Sequence, residues 1–236
     1  MKIEAVETYT VRMPLSRPYT MAMSTMNAKD HVIVRLRTDS NIVGVGETVP
    51  LVAELGEPAQ TIAYVVGSYL TPTILGEDPF SLEKLFEKMD SEVKGHSFAK
   101  CAVDFALHDL VARALNQPLH RLLGGKCREK IPVTWVIGIR DPKQSVAEAR
   151  QMVDRGFEEL KIKVGRNWTA DLQRVREIRD AVGSEVKMRV DANQAWRTER
   201  AIAIIKKFER YDLQFIEQPV PEWDIDGLAS VTRAVD

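Results

Sequence analysis

The chain has little cysteine: only Cys101 and Cys127 in 236 residues. Two thiols so placed supply neither a disulfide framework nor the spacing of a zinc site, and a reducing cytoplasm is the simplest setting for them. Cys101 falls on the apolar side of a helix-like run and reads as packing, and Cys127 sits in a basic loop. An excess of charge of either sign is missing too. The 33 basic residues stand against 34 acidic ones, so neither nucleic acid nor a membrane is expected as a partner. No apolar run is long enough to span a bilayer. The N-terminus, MKIEAVETYTVRM, lacks an apolar signal core and is punctuated by Glu4 and Glu7. The composition is that of an ordinary globular protein, long enough for one large domain or two smaller ones.

What is present changes character along the chain. Residues 1–50 read as three strands: roughly 2–13, then HVIVRLRT, then NIVGVGET, the last two joined by a turn at Asp39 and Ser40. A polar, Met-rich loop, SRPYTMAMSTMNAKD, separates the first two. From about residue 59 the pattern is helical, through AQTIAYVVGSYL, SLEKLFEKMDSEV and SFAKCAVDFALHDLVARAL. In the last run Phe98, Cys101, Ala102, Phe105, Leu110 and Ala114 form the apolar stripe. Meander then helices is an α+β unit. After Gly124-Gly125 strands and helices alternate. Trp135, Ile162, Arg189 and Ile216 mark strand centres 27 residues apart, and Asp141 with Pro142 starts the first intervening helix. A repeat of that length gives a parallel sheet, either a (β/α)₈ barrel or a doubly wound sheet. About four such units are counted.

In such a sheet ligands gather at the C-terminal strand ends. Those ends carry Lys161 and Lys163, then Asp191 and Asn193, then Glu217 and Gln218. Strand side chains alternate, so Lys161 and Lys163 share a face, with Ile162 and Val164 on the other. Adjacent strands lie about 4.8 Å apart, so Asp191 and Glu217 can reach one hard cation at about 2.0–2.1 Å, and Mg²⁺ suits them best, with Mn²⁺ as an alternative. Two lysines side by side disfavour each other's charge. A lysine base needs its pKa brought from about 10.4 to roughly 7–8, and burial beside a second ammonium and a metal acts in that direction. A lysine beside a divalent metal is suited to removing a proton α to a carboxylate, the metal stabilising the enediolate. Each acid taken alone is also explained as the cap of the next helix, and each lysine as solvated. It is the combination on three successive strand ends that points to a site. His108 reads as packing or capping, and His31, His96 and His120 have no partner at ligand spacing. Met21, Met23 and Met26 fit a surface loop or an apolar lid equally well.

KIKVG, RVDANQAW and IEQP, in this order behind a strand meander and a helical block, resemble the enolase superfamily, in its muconate-lactonizing and mandelate-racemase-like branch. RPYTMAMSTM and GHSFAKCAVDFALHDL resemble the capping domain of that branch. The resemblance implies an α+β capping domain over 1–125 and the first half of a (β/α)₈ barrel over 126–236. It also implies loops near 15–30 and 47–57 that close over the substrate, with Tyr19, Met21 and Met26 in the first of them. Asp191 and Glu217 become metal ligands, Lys163 the acid/base, Lys161 its electrostatic partner, and Asn193 and Gln218 supporting or substrate residues. The implied reaction is cycloisomerisation, racemisation or epimerisation of a small carboxylic acid or amino-acid derivative. Dehydration of a hydroxy acid, Schiff-base chemistry at Lys163 and an inactive fragment are the alternatives. The family's third carboxylate ligand and opposing acid/base have no counterpart here. With four units the first and fourth strands are edges, and self-association into a homo-oligomer is expected.

Overall fold

Alternation in HVIVRLRT sends Val32, Val34 and Leu36 to one face of a strand, and all three are fully buried in the computed structural model, which describes residues 1–52 and 56–235. That strand is β2 (Thr25–Thr38) of a three-stranded sheet in the order β1-β2-β3, with β1 Ile3–Thr20 and β3 Val43–Thr48. On the opposite face Arg35 pairs with Glu7 at 2.9 Å and Arg37 with Glu4 at 2.7 Å. The expected turn at Asp39 and Ser40 is present, with Asn41 left-handed and the Thr38 N–H donating to Ile42 O.

The long polar loop expected after residue 13 is instead mostly strand. β1 continues to Thr20 and β2 starts at Thr25, leaving a tight connection where the Met21 N–H donates to Ser24 O at 3.0 Å. Pro14 and Pro18 are tolerated inside β1 because it is a sheet edge, where a missing N–H breaks no ladder. Residues 53–55, within the second segment expected to close over a substrate, lie outside the described residues.

The chain divides into two compact units, Met1–Ser16 with Ala28–Glu129, and Arg17–Asn27 with the residues from Lys130 on. In the first unit α1 (Ala59–Val65) runs on through a wider turn to Ile74, followed by α2 (Leu82–Glu92) and α3 (Ser97–Ala114). The buried stripe of α3 keeps Ala102 and Leu110 of the expected set and is otherwise made of other residues. Phe105 is 55% exposed, and Ala99, Ala102, Val103, Ala106, Leu107 and Leu110 face inward. The reason lies on β3: a Cβ on Gly44 would sit 2.2 Å from Ala106 O, and one on Gly46 2.0 Å from Ala102 O. Helix and strand therefore meet backbone to backbone, which selects alanines and excludes a phenylalanine ring. His108 does pack, stacked on Phe86 and held by Asp104 at 2.6 Å. Outside any ligand cluster, His31 pairs with Glu47 and His96 with Glu57.

The second unit is a parallel sheet in the order β4-β5-β6-β7: Trp135–Ile137, Glu159–Lys163, Lys187–Asp191 and Leu213–Glu217. A helix follows each strand: α4 Pro142–Asp154, α5 Trp168–Val182, α6 Thr198–Phe208 and α7 Ile225–Ala234. Asp141 caps α4 through the Lys143 and Gln144 N–H groups, with Pro142 in the first turn as expected. Asn167 caps α5 and Asp224 caps α7. The outward residues Leu160, Ile162, Met188 and Val190 are fully buried against the helices, in a core with Val175, Ile178, Ile205 and Phe208. Each such side chain is worth about 1.5–3 kcal/mol, so the register that buries them is strongly held and the intervening residues are forced to the other face. Among the described residues no helix is long and apolar enough to cross a membrane.

Candidate active site

The register puts Lys163 opposite Asp191 and Asp191 opposite Glu217, so the charged ends of three successive strands, β5, β6 and β7, lie side by side. Neither acid serves as a cap, since the N-cap of α6 is Arg197, which makes no side-chain cap bond, and α7 is capped by Asp224. Asp191 is 1% exposed, and its Oδ2 receives both ammonium groups, Lys163 Nζ at 2.7 Å and Lys161 Nζ at 2.8 Å. Lys161 Nζ also lies 2.7 Å from Glu217 Oε2. One cationic nitrogen thus sits between the two carboxylates while the second lysine flanks them. Lys163 donates in addition to Asn193 Oδ1 at 2.9 Å, and the Asn193 N–H donates to Asp191 Oδ1 at 2.8 Å. Asn193, Gln194 and Gln218 hold left-handed backbone in the loops after β6 and β7, the kind of strain that concentrates at working sites.

Burial pushes the Asp191 carboxyl up, but hydrogen bonds from Lys161 and Lys163 outweigh it and hold the group below the usual carboxylate range. The Lys161 ammonium is pulled in two directions. Burial pulls it down, yet contacts with Asp191 and Glu217 prevail and the pKa is raised. The two carboxylates thus outweigh the burial of Lys161.

The donor set suits a hard divalent cation. Asp191 and Glu217 are oxygen donors already converging on one positive centre, and Mg²⁺ accepts a site with few protein ligands, retaining waters and substrate oxygens. Among the described residues no group of three or more His, Cys, Asp or Glu could hold a metal.

The Gln218 amide donates to Val220 O at 3.0 Å, so it braces its own loop and does not join the charged cluster. Tyr19, Met21 and Met26 lie on the hairpin tip that belongs to the same unit as the parallel sheet. Met21 is buried and Met23 exposed. The tip is fastened by the Ile139 N–H donating to Thr20 O at 2.8 Å, and by Arg166 donating to Ala22 O, Ser24 O and Thr25 Oγ1 at 3.2–3.4 Å. Arg17 and Arg140 converge on buried Glu148, which also accepts from Trp135 Nε1 at 3.0 Å. Level with Lys161 in the register and one layer below Lys163, Arg189 donates to Thr134 Oγ1 at 2.5 Å and lies over the Phe215 ring. Sequence reasoning missed Glu148 and Arg189. Arg189 had a signal, being two residues before Asp191 on the same strand face.

A family model described as the mandelate racemase / muconate lactonizing enzyme N-terminal domain matches residues 3–124, and one described as enolase C-terminal domain-like matches residues 144–236. The chain belongs to the mandelate racemase / muconate lactonizing enzyme family. N-succinyl-L-Arg/Lys racemase of Bacillus cereus is 34% identical over 237 residues, covering 100% of this chain and 64% of that protein. Its crystal structure superposes with a TM-score of 0.97, over 100% of this chain and 64% of the other. Dipeptide epimerase of Enterococcus faecalis V583, complexed with Mg and the dipeptide L-Leu-L-Tyr, has a TM-score of 0.95 at 36% identity, over 100% of this chain and 66% of that one. A chloromuconate cycloisomerase of Pseudomonas putida is 37% identical over 236 residues, 97% of this chain and 62% of the other. This chain of the family thus spans somewhat less than two thirds of the length of these isomerases.

Proposed function

We propose that this family member takes part in removing a proton α to the carboxylate of a small carboxylic acid or amino-acid derivative, leading to racemisation, epimerisation or cycloisomerisation. Residues 1–125 are read as the capping domain and 126–236 as the opening strands of the catalytic barrel. The observation that carries the reading is the convergence of Asp191 and Glu217 on one positive centre with Lys163 on the flank.

Asp191 and Glu217 would hold Mg²⁺, which supplies positive charge where the substrate carboxylate gains electrons. Lys163, as the free amine, takes the α proton. The C–H electron pair moves into the carboxylate, giving the substrate enediolate, and Lys163 becomes the ammonium. Asn193 Oδ1 and Asp191 Oδ2 hold the Lys163 nitrogen in place before and after transfer, which favours a fixed line of approach to the α carbon. Lys161 places its positive charge beside the acidic pair and helps hold the Asp191 carboxyl below the usual carboxylate range. Tyr19, Met21 and Met26 are read as substrate-side residues of the hairpin tip. The Mg- and dipeptide-bound relative and the racemase support dipeptides and N-acylated amino acids as the first substrates to try.

The test is incubation with Mg²⁺ and L-Leu-L-Tyr or N-succinyl-L-arginine in D₂O, reading deuterium at the α carbon by mass spectrometry. Incorporation lost in Lys163→Ala supports the proposal. Incorporation that survives in Lys163→Ala places the base elsewhere and overturns it.

A further inference from the structure

Three backbone polar groups at the end of β5, the Lys163 C=O, the Val164 N–H and the Gly165 N–H, are each held by a different partner. The Val164 N–H donates to Asp191 O at 2.9 Å, as the sheet requires. The groups on either side are held by an ion pair from α5. Arg174 Nη2 donates to Lys163 O, and Asp171 Oδ2 accepts from the Gly165 N–H at 2.8 Å. Arg174 and Asp171 bind each other at 2.9 Å, and both side chains are only 3% exposed. Arg174 reaches Arg140 O as well, at 3.4 Å.

Gly165 has φ +117, and a Cβ there would stand 2.6 Å from Ala195 Cβ and 2.9 Å from Ala192 O and Ala22 Cβ. The chain therefore turns sharply, in confined space, two residues after Lys163. Such a turn has soft backbone dihedrals of its own, since glycine tolerates many conformations. Something else must fix the direction in which β5 ends. The position of Lys163 Nζ between Asp191 Oδ2 and Asn193 Oδ1 depends on it.

The ion pair is poorly explained as a source of stability. Burial pushes the Asp171 carboxyl up and the Arg174 guanidinium down, and Arg174 Nε is buried with no hydrogen-bond partner among the described residues. Buried ion pairs often do no better than apolar side chains of equal volume, and geometric specificity is the role left to them. A planar guanidinium that holds a carboxylate and a carbonyl together is also geometrically stiffer than an ammonium.

We infer that Asp171 and Arg174 are positioning residues for Lys163: they clamp the main chain on both sides of Val164 and so set where the Lys163 amine points. The inference rests on the proposed role of Lys163, and its test separates the two. In Arg174→Met, Arg174→Lys and Asp171→Asn, the ¹⁵Nζ signal of Lys163 is followed by NMR, assigned by its loss in Lys163→Arg, with Lys161 as internal control. Lys161 precedes the clamp and keeps its two carboxylates. Arg174→Met should speed hydrogen exchange at Lys163 Nζ by on the order of tenfold, the equivalent of one net hydrogen bond, and leave Lys161 near the wild-type rate. Arg174→Lys, which retains the charge without the fork, should give a smaller change in the same direction, and it decides the matter if Arg174→Met does not fold. With L-Leu-L-Tyr and Mg²⁺, kcat for α-proton exchange should fall by roughly ten- to a hundredfold with KM little changed, as misplacement of a reacting group does. A folded Arg174→Lys or Asp171→Asn variant with a lower Tm and an unaltered Lys163 signal overturns the clamp. So does a change shared equally by Lys161. Exchange persisting in Lys163→Ala overturns the proposed reaction and leaves the NMR result standing.

Discussion

Replacing Asp191 by asparagine keeps the shape of the site and removes the charge on which it is centred. In the native arrangement one Asp191 oxygen receives two ammonium groups, at 2.7 and 2.8 Å, on side chains only 10% and 17% exposed. Stranding one buried charge costs about 3–5 kcal/mol. Here the loss is partial, because Lys161 retains Glu217 at 2.7 Å and Lys163 retains Asn193 Oδ1 at 2.9 Å. The asparagine oxygen also still accepts from one of the two. A cost of about 2–3 kcal/mol follows, and at about 4 °C per kcal/mol for a unit of this size the Tm should fall by about 8–12 °C. The deficit has a pH signature. The folded Asp191 pKa is lowered, so its stabilisation is fully present above the unfolded carboxyl value and is lost as pH falls through the lower folded value. Lys161 is raised, so its contribution is fully present below the unfolded lysine value and is lost as pH rises through the higher folded one. The gap between wild type and Asp191→Asn should be widest near neutrality and close towards pH 2. Calorimetry across pH 2–9 reads it directly. A deficit below about 2 °C, or one equal at pH 2 and pH 7, would refute the reasoning.

Three further substitutions test the scaffold. Gly46→Ala places a Cβ 2.0 Å from Ala102 O and 2.5 Å from Ala106 N, backbone atoms that cannot step aside, and should cost about 3 kcal/mol in denaturant titration. Gly67→Ala meets nothing within 4 Å and should stabilise by about 0.5–1 kcal/mol, so equal effects at the two positions would contradict the close approach of α3 to β3. Arg166→Ala frees Ala22 O, Ser24 O and Thr25 Oγ1. It should raise amide exchange at Ile139, whose N–H is held by Thr20 O, by about three- to tenfold. An unchanged Ile139 rate would show that Arg166 does not hold the hairpin tip.

The charged cluster was legible because a strand-helix repeat places its strand ends at fixed intervals, and side-chain alternation then assigns Lys161, Lys163, Asp191 and Glu217 to one face. The buried face was legible for the same reason, from Ile162 and Val190. What stayed hidden depends on partners remote in sequence. Nothing within SRPYTMAMSTMNAKD announces a hairpin, since its edge is satisfied by Ile139 and Arg166, more than a hundred residues away. The stripe of α3 was partly misread because the alanines facing Gly44 and Gly46 are chosen by backbone contact, which hydrophobic periodicity does not record. Asp171 and Arg174, three apart at the start of a charged helix, read like any solvated pair until the fold buries them.

The central claim is that Asp191 and Glu217 form a cation site at the edge of which Lys163 works. Its most direct test is titration of the protein with Mg²⁺ in a calorimeter, alongside the Asp191→Asn, Glu217→Gln double variant. The account predicts one saturable Mg²⁺ site in the wild type, accompanied by a rise in Tm as mass action requires, and neither in the double variant. The same binding heat and the same Tm response in both proteins would place any metal elsewhere and contradict the account.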